Sequence, residues 1–272
     1  MNDDLIPKIF NYYPREILEG FTDVDVFEDA MKRGDDILLI GPTGSGKTAL
    51  VRYYCAKHQK PYRRISLNGG CTAEDIVGHY IIINKETIWV DGLVTQACRN
   101  GWVIAVDEIN AAPPDILFVF NSLLDDEKIL ILSSKDGEIV HPHPDFRLVA
   151  TCNPTEQGYA GTNEMNEALL DRFETTLYID YNIDVESKIV DSLDVNSNTK
   201  KNILEFVAKM RQAYRNNEIR TPFSTRSIIN LVTLYKKGQM MLLLNRFKDE
   251  EKDSVKDLID LFMMKNPVKV KK

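Results

Sequence analysis

Eight residues in the first fifth of the chain, Gly41 to Thr48, read GPTGSGKT and leave little freedom for what surrounds them. The run fits G-x-x-x-x-G-K-[ST], follows the apolar Ile37 to Ile40 and precedes a helix-compatible ALVRYYCAK. Strand, glycine turn and helix is the context in which such a run holds phosphate. Gly44 and Gly46 let backbone N–H groups converge on phosphate oxygens, and the helix N-terminus behind them favours the anion. Lys47 and Thr48 are then placed to reach the terminal phosphates and Mg²⁺. Gly41, Pro42, Thr43, Gly44, Ser45, Gly46, Lys47, Thr48 and Ala49 are therefore the candidate nucleotide-binding residues.

A chain of 272 residues can bury one large core or two smaller ones. Its formal charge of −7 argues against a generally basic surface, so nucleic acid is not the expected partner. Cys55, Cys71, Cys98 and Cys152 are scattered without a C-x-x-C pair, which points to reduced thiols rather than a zinc site or disulfide framework. The opening MNDDLIPKIFNYYPRE lacks a basic segment followed by an apolar one, and no later run approaches membrane-spanning length. The expectation is a cytoplasmic protein with no membrane association.

A second chemical landmark is Trp102 to Asn110, WVIAVDEIN, an apolar strand that ends in two adjacent carboxylates. Side chains alternate along a strand, so Asp107 and Glu108 point differently. Asp107 is the candidate Mg²⁺ residue, with Thr48, and Glu108 the candidate general base toward an attacking water. Phe146 to Thr151 is a further buried strand that delivers Cys152, Asn153 and Pro154 to the same rim, since parallel sheets place ligands at strand C-terminal ends. An amide such as Asn153 can hold a water or a terminal phosphate oxygen without adding charge. His141 and His143, one residue apart between prolines, read as loop histidines rather than metal ligands.

Elsewhere, the opening to about Gly20 is expected to be irregular because of Pro7 and Pro14. Asp23 to Arg33 follows as a helix capped by Asp23 or Asp25. Tyr62 to Leu67 reads as a strand, and a short helix is expected around Thr72 to Val77. Tyr80 to Ile83 and Glu86 to Val90 form a hairpin about Asn84-Lys85, interrupting what would otherwise be one helical segment. From periodicity alone it is either a projecting insertion or an edge hairpin over the sheet. Pro113-Pro114 opens a helix to Asp126, and Lys128 to Leu132 with Gly137 to Val140 gives a second hairpin. Tyr178 to Asn182 reads as the last strand. Helical spacing then covers Val185 to Leu193, Thr199 to Arg215, Ser224 to Lys237 and Asp253 to Met264, with Ser224 or Thr225 as a cap and a basic tail KNPVKVKK from Lys265.

Taken together, GPTGSGKT, EDIVGHY, WVDGLVTQACRNG, WVIAVDEINAAPPDILFVFNSLLDD, HPHPDFRLVATCNP and EALLDRFE resemble an AAA+ ATPase of the MoxR-like, cobaltochelatase small-subunit-like group over roughly Pro14 to Gly238. The resemblance implies an α/β fold: a P-loop NTPase three-layer αβα core with a parallel sheet and two inserted β-hairpins, plus a C-terminal all-α lid. It divides the chain into a nucleotide-binding core with a short N-terminal extension at 1–182 and a helical lid at 183–272. It implies ATP and Mg²⁺ as cofactors, Asn153 as a sensor of the terminal phosphate, and Arg172 as a finger reaching a neighbouring subunit's nucleotide. A guanidinium can neutralise charge on a transferring phosphoryl, although the residues alone equally allow a salt bridge from Arg172 to Asp171 or Glu174. Arg226 matches the lid sensor arginine, or is a solvated helix residue.

The implied activity is ATP hydrolysis by a homo-oligomeric ring, expected to be hexameric, that remodels or activates a protein client. A partner with a von Willebrand-type A domain would direct that work. Two alternatives stand beside it. One is a GTP-driven motor of the McrB restriction type, which Thr151-Cys-Asn-Pro argues against because the NTxD continuation expected there is absent from the sequence. The other is a nucleotide-gated scaffold with little turnover.

Overall fold

The computed structural model describes residues 3–154 and 167–267. The chain divides into two compact units, one of Met1–Tyr12, Glu16–Gly41 and Lys47–Ile179, the other of Tyr13–Arg15, Pro42–Gly46 and Asp180–Lys272.

In chain order the first unit carries β1 (Glu16–Leu18), β2 (Phe21–Thr22), α1 (Asp23–Arg33), β3 (Ile37–Ile40), α2 (Lys47–Lys57), β4 (Tyr62–Ser66) and α3 (Ala73–Val77). It continues with β5 (Gly78–Ile83), β6 (Glu86–Asp91), α4 (Leu93–Asn100), β7 (Val103–Asp107) and α5 (Pro114–Leu124). It closes with β8 (Leu130–Leu132), β9 (Glu138–Val140), β10 (Arg147–Cys152), α6 (Glu167–Leu170) and β11 (Thr175–Tyr178). Five of these strands make one sheet in the order β11-β3-β10-β7-β4, every pairing parallel.

A parallel sheet must be covered on both faces, and the strand sequences supply two apolar faces by alternation. Leu38, Ile104, Val106, Leu148 and Ala150 share one core with residues of α3, α4 and α5, including Ile76, Val94, Ile116 and Phe120. Ile37, Leu39, Val103, Ala105 and Val149 share the opposite core with Phe27, Ala30, Leu50 and Val51 from α1 and α2. Alternate residues of one strand thus enter different cores, which is the three-layer αβα arrangement.

The two expected hairpins are present. β5 pairs antiparallel with β6 from Gly78↔Asp91 to Ile83↔Glu86, and Asn84 and Lys85, at φ 52° and 70°, form the two-residue turn whose twist suits a hairpin. The hairpin emerges between α3 and α4, and its base is tight: Gly78 has φ 133°, and a Cβ there would strike the Val90 carbonyl. β8 and β9 pair antiparallel with Leu130↔Val140.

Three expectations are corrected. The opening segment is not irregular throughout, because β1 and β2 pair about Gly20 at φ 78°. Thr22, not Asp23 or Asp25, caps α1: its side chain accepts from Asp25 N–H while the Asp25 carboxylate accepts from Thr22 N–H, a capping box. Asp23 is instead buried and accepts from the Tyr12 hydroxyl at 2.6 Å. The last strand starts earlier than expected, at Thr175, and Asn182 serves as the cap of the next helix.

The second unit contains α7 (Ile183–Asp191), α8 (Ser197–Arg215), α9 (Thr225–Lys236), a 3-10 stretch at Met240–Arg246 and α10 (Lys252–Lys265). Ile203, Phe206, Met210, Phe223, Ile228, Leu231, Leu243, Ile259 and Phe262 form its core, with Phe206 meeting both Phe223 and Phe262 edge to face. Such edge contacts match the aromatic quadrupoles. Ser224 caps α9. Of the basic tail, residues 268–272 lie outside the described residues, as do residues 155–166, which include the positions that bear on the GTP-motor alternative. No helix among the described residues is long and apolar enough to cross a membrane.

Candidate active site

Because β3, β10 and β7 run parallel, their C-terminal ends share one rim, and the residues that follow them meet there. Lys47, the first residue of α2, is buried, and its Nζ donates to the Gly41 carbonyl at 2.6 Å and to Asn153 Oδ1 at 3.1 Å. Burial pushes the Lys47 ammonium down to about 8, against the opposing pull of Cys152, Asp107 and Glu108. A buried ammonium among these groups is the one a phosphate would favour.

Thr48 Oγ1 donates to Asp107, 2.9 Å from Oδ1 and 3.1 Å from Oδ2, and Thr151 Oγ1 donates to Oδ1 at 2.9 Å. Arg64 Nε forms an ion pair with Asp107 Oδ2. The ladder explains this gathering: Ser66 is the partner of Asp107, so Arg64, two positions earlier on β4, lies on the same face as Asp107. Thr151 follows Ala150, the partner of Val106. The donors around Thr48 and Asp107 are hydroxyl and carboxylate oxygens, a set that fits a hard divalent cation completed by phosphate and water. Among the described residues no three or more His, Cys, Asp or Glu cluster as a metal cage.

Glu108 is exposed and holds φ 58°, ψ 43°, the left-handed region that non-glycine residues enter at a cost. Its backbone N–H donates to Thr151 Oγ1 at 3.4 Å. The carboxylate therefore leaves the strand in a different direction from that of Asp107. Asn110, buried behind it, donates through Nδ2 to the Asn153 carbonyl at 3.3 Å. Sequence reading missed Thr151, Asn110 and Arg64 as members of this cluster.

In the second unit, Gly44 and Gly46 hold φ 66° and 108°, and Ser45 N–H donates to the Pro42 carbonyl at 3.3 Å. Ser45 Oγ is buried without a hydrogen-bond partner among the described residues. The loop is braced by the Tyr181 hydroxyl, which donates to the Thr43 carbonyl at 2.8 Å. A Cβ on Gly44 would approach Ser224 to 2.7 Å and lie 3.7 Å from the Arg226 Cβ, so only glycine fits there. Arg226, in the first turn of α9, is exposed beside this loop. The Arg211 guanidinium lies 3.9 Å over the Tyr181 ring and grips buried Glu186 through two hydrogen bonds of 2.9 and 2.5 Å.

Arg172 pairs with neither Asp171 nor Glu174. Its Nη1 is 3.0 Å from Asp125 and donates to the Asn121 carbonyl at 3.3 Å. It also lines, with Pro114, Leu117, Phe118, Asn121, Ala168 and Leu169, a cavity of about 150 Å³. His143 accepts from the Asp145 N–H, in keeping with a loop residue.

Residues 36–173 match the AAA domain of the dynein-related subfamily. Protein CbbQ of Hydrogenophilus thermoluteolus is 33% identical over 218 residues, covering 79% of this chain and 80% of that protein. Protein NorQ of Paracoccus denitrificans is 36% identical over 140 residues, which cover 52% of each, so the match spans about half of that relative's length. An uncharacterized protein of Staphylococcus haemolyticus is 32% identical over 248 residues, covering 88% and 82%. Among solved structures, a mutant of RuvB from Thermotoga maritima superposes with a TM-score of 0.51 at 18% identity, covering 87% of this chain and 65% of that one. At that identity the likeness bears on the fold alone.

Proposed function

The chain belongs to the AAA+ ATPases, in the MoxR-like group, and from that premise we propose that it hydrolyses ATP as a ring-forming motor that remodels or activates a protein client. The observation that carries the reading is the convergence of Lys47 on Asn153 and of Thr48 on Asp107 at one rim of a parallel sheet. Such a cluster has the parts that phosphoryl transfer to water requires.

In this reading the Gly41–Thr48 backbone cradles the phosphates, and Lys47 neutralises charge on them. Thr48 and Asp107 would hold Mg²⁺, which when bound offsets the negative charge that builds on the phosphate oxygens. Glu108 takes a proton from the attacking water, and Asn153, held from behind by Asn110 and in front by Lys47, orients that water or the terminal phosphate. Arg226, beside Gly44, reports the state of the loop to α9. Arg172 acts on the nucleotide of a neighbouring subunit, which requires it to leave Asp125. That arrangement makes hydrolysis depend on assembly. The partner the MoxR-like resemblance suggests is a separate chain bearing a von Willebrand-type A domain.

The test is phosphate release measured against protein concentration, with mass analysis of the assembly in ATP. ATP turnover that rises with formation of a closed ring supports the motor. Full turnover in a monomer would overturn the ring, and no turnover in verified rings would leave a scaffold.

A further inference from the structure

Asp107 holds more than a metal-binding carboxylate needs. Two hydroxyls, from Thr48 and Thr151, already donate to it, and Arg64 adds a full positive charge on Oδ2. The partners differ in their freedom. Asp107 and Thr151 are buried within the sheet, whereas the Arg64 side chain is 55% exposed. Among the described residues Arg64 donates to Asp107 through Nε alone, and its terminal nitrogens make no hydrogen bond to a protein acceptor. A buried carboxylate needs a compensating cation. A guanidinium on Oδ2 and a divalent cation beside Thr48 compete for the same lone pairs and repel one another.

We infer that Arg64 is a stand-in for the divalent cation. It is a positioning residue that holds the Asp107 carboxylate toward Thr48 before metal and nucleotide bind, and yields it when they do. The inference rests on the reading of Thr48 and Asp107 as the metal-binding pair. Its consequence is a threshold: Mg²⁺ must displace Arg64, so the chain binds Mg-nucleotide at a higher free Mg²⁺ concentration than Asp107 alone would require. Arg64 leaves toward solvent, its other face already in water, so the exchange needs no rearrangement of the sheet.

The experiment titrates a fluorescent ADP analogue against wild type, Arg64→Gln, Arg64→Lys and Asp107→Asn over a series of free Mg²⁺ concentrations, with a chelator baseline. No turnover is involved. The half-saturating Mg²⁺ for tightened ADP binding should fall about two- to fivefold in Arg64→Gln, the size of a partly exposed ion pair expressed as a binding ratio. Arg64→Lys, which keeps the charge but not the planar fork, should fall between, and it carries the comparison if the glutamine variant melts early. An unchanged or raised Mg²⁺ requirement in both variants overturns the inference and makes Arg64 a permanent support. If wild-type ADP binding ignores Mg²⁺, or Asp107→Asn responds as wild type does, the metal-binding reading itself fails and takes the inference with it.

Discussion

Lys47 donates to Asn153 Oδ1 across 3.1 Å, joining the first residue of the helix after the glycine loop to the residue that leaves the neighbouring strand β10. An amide fixed this way presents its other end at a set place. Replacing Asn153 with Ala should leave ATP binding close to wild type while lowering turnover about 10²-fold, the usual loss for one preorganised polar group at a reacting centre. Equilibrium binding and phosphate release on the same sample separate the two.

A buried ion pair organises the second unit. Glu186 is 1% exposed and accepts from both terminal nitrogens of Arg211 and from the Thr225 hydroxyl. Glu186→Ala would strand the Arg211 charge against the Tyr181 ring, a change that costs about 3 kcal/mol when the pair is buried. Denaturant unfolding monitored on the C-terminal unit should show that loss.

The pH dependence of that unit has a definite sign. Burial works to raise the Glu251 pKa, but the N–H groups of Arg220 and Lys248 and the hydroxyl and N–H of Thr221 outweigh it, so the carboxyl sits below its ordinary 4.5. A carboxylate with a lowered folded pKa contributes stability above its unfolded value and loses it as pH falls through the folded one. Glu251→Gln should therefore destabilise by about 1–3 kcal/mol at neutral pH, with the difference from wild type shrinking below about pH 4. A gap that stays constant on acidification would contradict the assignment.

Local strings carried most of what could be read from the sequence. GPTGSGKT and WVIAVDEIN hold their loop and carboxylates within a few residues, so periodicity and motif suffice to mark Lys47, Thr48, Asp107 and Glu108 as candidates. Arg64, Asn110 and Thr151 were invisible for a different reason. Their approach to the site depends on the register of β4, β7 and β10, and register is set by long-range pairing that no window of sequence contains. The same holds for Arg172, whose partner Asp125 lies far away in the chain while Asp171 and Glu174 are the acids near it in sequence. Strands of three and two residues, as in β1 and β2, are too short to show alternation at all. The last strand was placed late because the apolar side chains of YIDYNI continue past Tyr178, where Asn182 is already the helix cap.

Action of Arg172 across an interface predicts complementation. Arg172→Ala and Lys47→Ala each damage a different side of a shared site, so mixing the two inactive variants should restore part of the turnover, because some sites then draw an intact Lys47 and an intact Arg172 from different subunits. Mass analysis must verify mixed rings. Turnover in those rings no higher than in either variant alone would place Arg172 in its own subunit's structure, holding Asp125.

The most direct measurement of the central claim is Glu108→Gln in single-turnover phosphate release, paired with equilibrium ATP binding. Glu108 is exposed, held in a left-handed backbone and separate from the Thr48–Asp107 contact, so the amide should fold and bind ATP as wild type does. Hydrolysis should fall by about 10²–10⁴-fold, the contribution of a positioned general base. Wild-type phosphate release by that variant would contradict the account.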